Sequence, residues 1–144
     1  MNIRFATPAD APELAAVEQT QPQAAGWGLA GFTSELQQPC ARIWCAQDQD
    51  QIVGFLALRS AAGSAEILNV AVAAGCTRRG IGRTLLETAL LWLREQGVER
   101  ISLEVATANM PARSLYAKGG LQPVGTRKDF YGPGKDALIL GFKR

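Results

Sequence analysis

The chain of 144 residues carries 15 Lys and Arg against 13 Asp and Glu, a formal net charge of +2, with 47% apolar and 19% charged residues and no histidine. That length fits one domain, and a composition near the globular average excludes collagen-like, coiled-coil and disordered chains. Without histidine, Ser-His-Asp and Cys-His nucleophile systems, H-E-x-x-H zinc sites and any imidazole base are excluded, so proton transfer must use other groups.

In chain order, residues 3–6 read as a short strand. Thr7 then offers a helix cap with Pro8 at the first helical position, and a helix follows to about Thr20. Residues 21–32, punctuated by Pro22, Gly26 and Gly28 and carrying Trp27, read as a surface loop long enough to be functional. A short helix capped by Thr33 or Ser34 is expected after it. Residues 42–47 and 52–59 are strand-like runs around the polar segment 48–51, which predicts a hairpin, and Ala61-Ala62-Gly63 turns the chain into a further strand at 66–72.

From Thr77 the period changes, because Leu85, Leu86, Ala89, Leu90 and Leu93 form a helical stripe that ends at a Gly97 C-cap. Ile101, Leu103 and Val105 alternate with Ser102, Glu104 and Ala106, a strand with one apolar face and one face available to chemistry. The strand–helix–strand unit is expected to be parallel. Asn109 caps another helix on which Ala112, Leu115 and Tyr116 share a face, and the remainder reads as two strands around residues 131–134. A single domain is expected, with N-terminal helices and first strands in 1–62, the strand–helix–strand unit in 63–106, and a final helix and hairpin in 107–144.

A net charge of +2 is too mild to predict wholesale binding to nucleic acid or an anionic membrane. Cys40, Cys45 and Cys76 are odd in number and lack C-x-x-C spacing, so reduced structural thiols are expected, with no metal. No apolar run resembles a signal peptide or approaches the roughly 20 residues of a membrane span, which predicts a cytoplasmic protein.

Thr77-Arg78-Arg79-Gly80-Ile81-Gly82 precedes the strongest helix, where free amides and the positive end of the helix dipole favour an anion. Gly80 and Gly82 allow close approach to the backbone, and Arg78, Arg79 and Arg83 surround it with positive charge, so a pyrophosphate suits the loop. Gly75 to Gly80 has the G-x-x-x-x-G spacing, but Ile81-Gly82 stands where a P-loop needs Lys-Ser/Thr; Leu85 likewise stands where a dinucleotide fingerprint needs its third glycine. The competing reading is a tight strand-to-helix turn with no ligand.

With Asn69-Val70-Ala71-Val72 before it, this loop resembles the acetyl-coenzyme A loop of the GCN5-related N-acetyltransferases. Leu103-Glu104-Val105, Asn109, Ser114-Leu115-Tyr116 and residues 127–131 through 136–140 are similar to the RimI branch, the ribosomal-protein-alanine N-acetyltransferases. The resemblance is strong from about Ala65 to Leu140 and generic before that. It implies an α/β (α+β) single domain with a mixed, mostly antiparallel sheet flanked by helices. It implies acetyl-coenzyme A as cosubstrate, held by Val70, Ala71, Val72, Thr77, Arg78, Arg79, Gly80, Ile81, Gly82, Arg83, Asn109 and Tyr116. A bulge near Val72 is expected to offer an N–H to the thioester oxygen.

By the same resemblance Glu104 is the general base and Tyr116 the acid that protonates the leaving thiolate, while Trp27, Glu104 and Tyr131 border the acceptor groove. The implied reaction is direct transfer to a protein N-terminal α-amine, most simply the N-terminal alanine of a ribosomal protein, with Cys76 a minor candidate for an acyl-enzyme route. An α-amine, with a pKa of about 7.7–8.0 against about 10.4 for lysine, needs only a modest base. Four positions depart from the family pattern: Thr77 replaces Gln or Arg, Gly26-Trp27-Gly28 replaces Pro-Trp, Ala106 a basic residue, and Leu121 a Phe. Other readings stay open: a small-molecule or lysine amine as acceptor, or a non-catalytic acyl-coenzyme A sensor. In the residues themselves, Glu104 also fits a solvated strand position, Tyr116 a core tyrosine and Trp27 a loop anchor.

Overall fold

The computed structural model describes residues 1–143, and of Lys143 the backbone only. The chain forms β1 (Asn2–Phe5), a 3-10 turn at Pro8–Asp10, α1 (Ala11–Gln19), α2 (Gly28–Glu35), β2 (Ala41–Asp48), β3 (Gln51–Ala61) and β4 (Ser64–Val72). It continues with a 3-10 turn at Ala74–Cys76, then α3 (Ile81–Glu95), β5 (Arg100–Ala106), α4 (Met110–Lys118), β6 (Gln122–Arg127) and β7 (Ala137–Lys143). The seven strands make one sheet in the order β1-β2-β3-β4-β5-β7-β6. Only the β4–β5 pair is parallel, as the strand–helix–strand pattern predicts. The mixed, mostly antiparallel sheet flanked by helices is the expected fold class.

Two apolar clusters cover the two faces. The stripe Leu85, Leu86, Ala89 and Leu93 of α3 packs with Leu56, Leu58, Ile67 and Leu103. Leu14 and Val17 of α1 and Phe32 of α2 pack with Ile43, Phe55 and Ala71 on the other side. Each fully buried Leu or Phe is worth about 1.5–3 kcal/mol, so both helical layers are fixed by burial rather than by propensity. Gly97 ends α3 at φ 76, and the Val98 N–H closes back on the Leu93 carbonyl at 3.0 Å, a Schellman-type stop. The two early hairpins turn through Gln49-Asp50 and Ala62-Gly63, each a pair of left-handed residues as a two-residue turn requires.

Two expectations are corrected. Residues 28–32 are helical, not loop, and α2 starts at Gly28, so Thr33 and Ser34 lie inside it rather than capping it. The Thr33 hydroxyl donates to the Leu29 carbonyl one turn back, at 2.8 Å. What caps α2 is the Glu18 carboxylate of α1, which accepts the N–H groups of Trp27 and Gly28 at 2.8 and 2.9 Å. The bulge expected near Val72 falls at Leu68, because Ala57 pairs with Asn69 while Leu58 pairs with Ile67. One extra residue reverses the side-chain alternation. Ala65 and Ile67 therefore face α3 with Val70 and Val72, while Ala71 joins the α1–α2 cluster.

Candidate active site

The site begins where two parallel strands part. β4 and β5 are hydrogen-bonded only from Ser64–Arg100 to Ile67–Leu103. Beyond that register β4 runs on to Val72 and β5 to Ala106 with no pairing between them, which opens a groove in the middle of the sheet. Glu104 is the first residue of β5 past the last pair.

Backbone parity decides what the β4 edge offers. The Ala73 N–H donates to Val53 at 2.8 Å, so Ala71 and Asn69, two and four residues earlier, also bond to β3. Val70 and Val72 therefore turn their N–H and C=O groups to the groove. The Val72 carbonyl already accepts from the Gln21 side-chain amide at 2.8 Å, which among the described residues leaves the Val70 groups and the Val72 N–H open. The Ala71 side chain is buried against the α1–α2 layer, so only its backbone belongs to this wall.

At the mouth of the groove, α3 starts on Gly80, which is left-handed at φ 76 with nothing within 4 Å of the position a Cβ would take. The conformation favours glycine there, and the space in front of it is open. The Thr84 N–H makes the turn-closing bond to the Gly80 carbonyl at 3.0 Å, so the amides of Ile81, Gly82 and Arg83 have no intrahelical partner. Gly82 sits where Val72 and Leu115 converge, at 3.6 and 3.4 Å from its Cβ position. Arg78 takes φ 66 and has no side-chain partner among the described residues. The other two arginines are engaged: Arg79 donates to Asp48 at 2.7 Å and Arg83 to Glu87 at 2.8 Å. Thr77 bonds weakly back to the Ala74 carbonyl at 3.4 Å. A wall of free strand amides leading to a helix end with a free arginine fits a long polar arm that finishes in a pyrophosphate.

Asn109 caps α4 as expected, its Oδ1 accepting the Ala112 N–H at 3.3 Å. Tyr116 on that helix is 8% exposed and burial pushes its phenol up to about 12, with Tyr131 a lesser cause. Its hydroxyl has no hydrogen-bond partner among the described residues, yet no buried side-chain polar atom there is unpartnered, so the hydroxyl reaches open space. Tyr131, half exposed in the β6–β7 connection, has its phenol raised by burial and then by the Glu104 charge. Glu104, Tyr131 and Tyr116 thus form one neighbourhood beside the groove.

Two partners of these residues were not foreseen. Arg127 of β6 donates to Glu104 Oε1 at 2.8 Å and lies over the Phe130 ring at 4.9 Å. Glu18, 5% exposed, is the hub of the loop wall: besides capping α2 it accepts from the Asn69 side-chain amide at 2.8 Å, and Asn69 Oδ1 takes the Ala25 N–H at 3.2 Å. A Glu and an Asn within apolar stretches were the available signal. Trp27 packs against the α1–α2 cluster, its ring edge-on to Phe32 at 5.3 Å, with Phe32 edge-on to Phe55. A cavity of about 300 Å³ between Cys40, Arg42, Trp92 and Gly97 contains none of these residues.

A family model described as the acetyltransferase (GNAT) family matches residues 10–121. A putative [ribosomal protein bS18]-alanine N-acetyltransferase of Bacillus subtilis (strain 168) is 34% identical over 116 residues, 79% of this chain and 77% of that protein. The ribosomal-protein-S18-alanine N-acetyltransferase from Escherichia coli shares the fold with a TM-score of 0.88 at 26% identity, over 99% of this chain and 92% of that one. The paiA N-acetyltransferase from Thermoplasma acidophilum, solved in complex with coenzyme A, shares the fold at TM-score 0.81 and 22% identity over 100% of both chains. The match spans the parting strands, the glycine loop and all of α4, and the chain therefore belongs to the GNAT family of acetyltransferases, enzymes that use acetyl-coenzyme A.

Proposed function

We propose that the chain acetylates the N-terminal α-amine of a protein, that of an alanine-starting ribosomal protein in the first place. The observation that carries this reading is the placement of Glu104 at the point where β4 and β5 part, across from the open strand edge at Val70 and Val72. The acceptor class is supported by the 34% identity to a putative bS18-alanine N-acetyltransferase.

Acetyl-coenzyme A supplies the activated acetyl group as a thioester. Val70, Ala71 and Val72 line its pantetheine arm, the amides of Thr77 to Arg83 with the Arg78 side chain take its pyrophosphate, and Asn109 and Tyr116 border its thiol end. Tyr131 and the loop carrying Trp27 flank the acceptor.

Glu104 takes the ammonium proton, directly or through one water, and the freed nitrogen lone pair forms the C–N bond as the C–S bond breaks. The Tyr116 hydroxyl stays protonated across neutral pH because burial holds it near 12. Full transfer to a thiolate of ordinary pKa near 8.5 is uphill by on the order of 5 kcal/mol, so Tyr116 acts first as hydrogen-bond donor to the departing sulfur. Desolvation by the same walls raises the thiol and narrows that gap.

The test is incubation with acetyl-coenzyme A and a panel of alanine-starting peptides, N-terminally blocked lysine peptides and small amines, with the modified nitrogen located by fragment mass spectrometry. Acetylation of the free α-amine alone is expected. Modification restricted to lysine side chains or small amines would refute the acceptor class, and coenzyme binding without turnover on any amine would refute catalysis.

A further inference from the structure

Glu104 is not alone on its strand face. The sheet register places Ala106, Ala137 and Arg127 in one cross-strand row, and Glu104, Ile139 and Gly125 in the next row on the same face. Arg127 and Glu104 stand on strands with β7 between them, roughly 10 Å apart across two inter-strand spacings. The guanidinium covers that span because Ala137 and Ala106 in its row carry only methyl groups. It arrives at 2.8 Å on Oε1, and its planar group rests on Phe130 at 4.9 Å, so it is held from two sides. Oε2 has no partner among the described residues. The ionisable groups that bear on Glu104 are Arg127 from β6 and Tyr131 from the β6–β7 connection, with Tyr116 of α4 reached through Tyr131.

We propose that Arg127 is a positioning residue for the acetyl transfer: it pins Glu104 through Oε1, leaves Oε2 for the acceptor, and by its charge lowers the pH at which the ammonium bound there gives up its proton. The proposal rests on the reading of Glu104 as the base. An ammonium arriving at Oε2 meets a fixed cation across the same carboxylate, which weakens its binding and makes its proton easier to lose. A unit charge about 6 Å from the amine, screened midway between the surface and bulk-water limits, moves the pH at which the bound amine deprotonates down by roughly one unit. Arg127 therefore exchanges acceptor affinity for rate, an opposite effect on KM and on the chemical step that a purely structural ion pair does not produce.

The test is single-turnover acetylation of an alanine-starting peptide at saturating acetyl-coenzyme A, from about pH 6 to pH 9, with wild type, Arg127→Gln, Arg127→Lys and Glu104→Gln. Arg127→Gln is expected to lower the peptide KM, to slow the chemical step by up to about tenfold at neutral pH, and to recover at high pH as its rising limb moves up by about one pH unit. Arg127→Lys keeps the charge and is expected to keep the limb near its wild-type position. An unmoved limb in Arg127→Gln, or a raised KM with an unchanged chemical rate, overturns the proposal while Glu104→Gln remains slow. Wild-type rates in Glu104→Gln overturn the base assignment and the proposal with it.

Discussion

Replacing Glu18 by alanine tests what holds the loop that leads into α2. Glu18 is 5% exposed, and its carboxylate accepts the Trp27 N–H, the Gly28 N–H and the Asn69 side-chain amide, at 2.8, 2.9 and 2.8 Å. In Glu18→Ala all three donors lose their acceptor at once. A buried donor left unpaired costs about 1–3 kcal/mol, and water admitted to the vacated space recovers part of it, so a total of about 3–5 kcal/mol is expected. For a chain of 144 residues that is a drop in Tm of roughly 10–15 °C. Glu18→Gln keeps the shape and one acceptor oxygen and should cost about half as much. Urea denaturation measures the free energy, and amide hydrogen exchange at Trp27 and Gly28 shows whether the start of α2 opens first. A Glu18→Ala protein within about 0.5 kcal/mol of wild type, with unchanged protection at those amides, would refute the assignment of Glu18 as the cap of α2 and the anchor of the loop.

Three further outcomes are expected. Asp10 is held down to about 2, chiefly by its hydrogen bonds from Arg4 at 2.8 and 3.1 Å, against 3.8 unperturbed. A folded pKa below the unfolded one stabilises above about pH 4 and is lost as pH falls through about 2; Asp10→Asn should cost about 2 kcal/mol at pH 7 by urea titration, and a pH-independent difference would contradict this. A Cβ on Gly141 would stand 2.8 Å from the Ile101 carbonyl oxygen, a backbone atom fixed by the β5–β7 pairing, so Gly141→Ala should lose about 1–3 kcal/mol in the same assay. Asp48→Ala releases Arg79 at the glycine loop and should tighten acetyl-coenzyme A binding by about twofold to fivefold at low salt in calorimetry, the gain fading as salt rises. An unchanged Kd would mean that Arg79 does not reach the coenzyme.

What the sequence shows of this fold follows from how local each signal is. The α3 stripe, the β5 alternation and the Gly97 stop involve neighbours within a few residues, and each stands where its period puts it. The start of α2 was hidden because its cap comes from a carboxylate ten residues before Gly28 on another helix, and because Gly28 and Gly31 read as loop punctuation. Gly31 is helical and close to Trp27, whose Cβ lies 2.7 Å from its own Cβ position. The adjacent apolar pair Ile67-Leu68 was the one local trace of the bulge, a break in alternation that a buried strand also shows. The site divides the same way. The glycine loop and Glu104 were visible as residues, but the grouping of Glu104 with Tyr116 and Tyr131 came from resemblance. The Arg127 contact spans 23 residues of sequence and an intervening strand, a relation no spacing rule encodes.

The central claim, that Glu104 at the parting of β4 and β5 takes the proton from an acceptor α-amine, meets its most direct test in one rate ratio. With an alanine-starting peptide and saturating acetyl-coenzyme A, Glu104→Gln should acetylate about a hundredfold or more slowly than wild type while binding the coenzyme equally well. A Glu104→Gln enzyme within about threefold of the wild-type rate would contradict it.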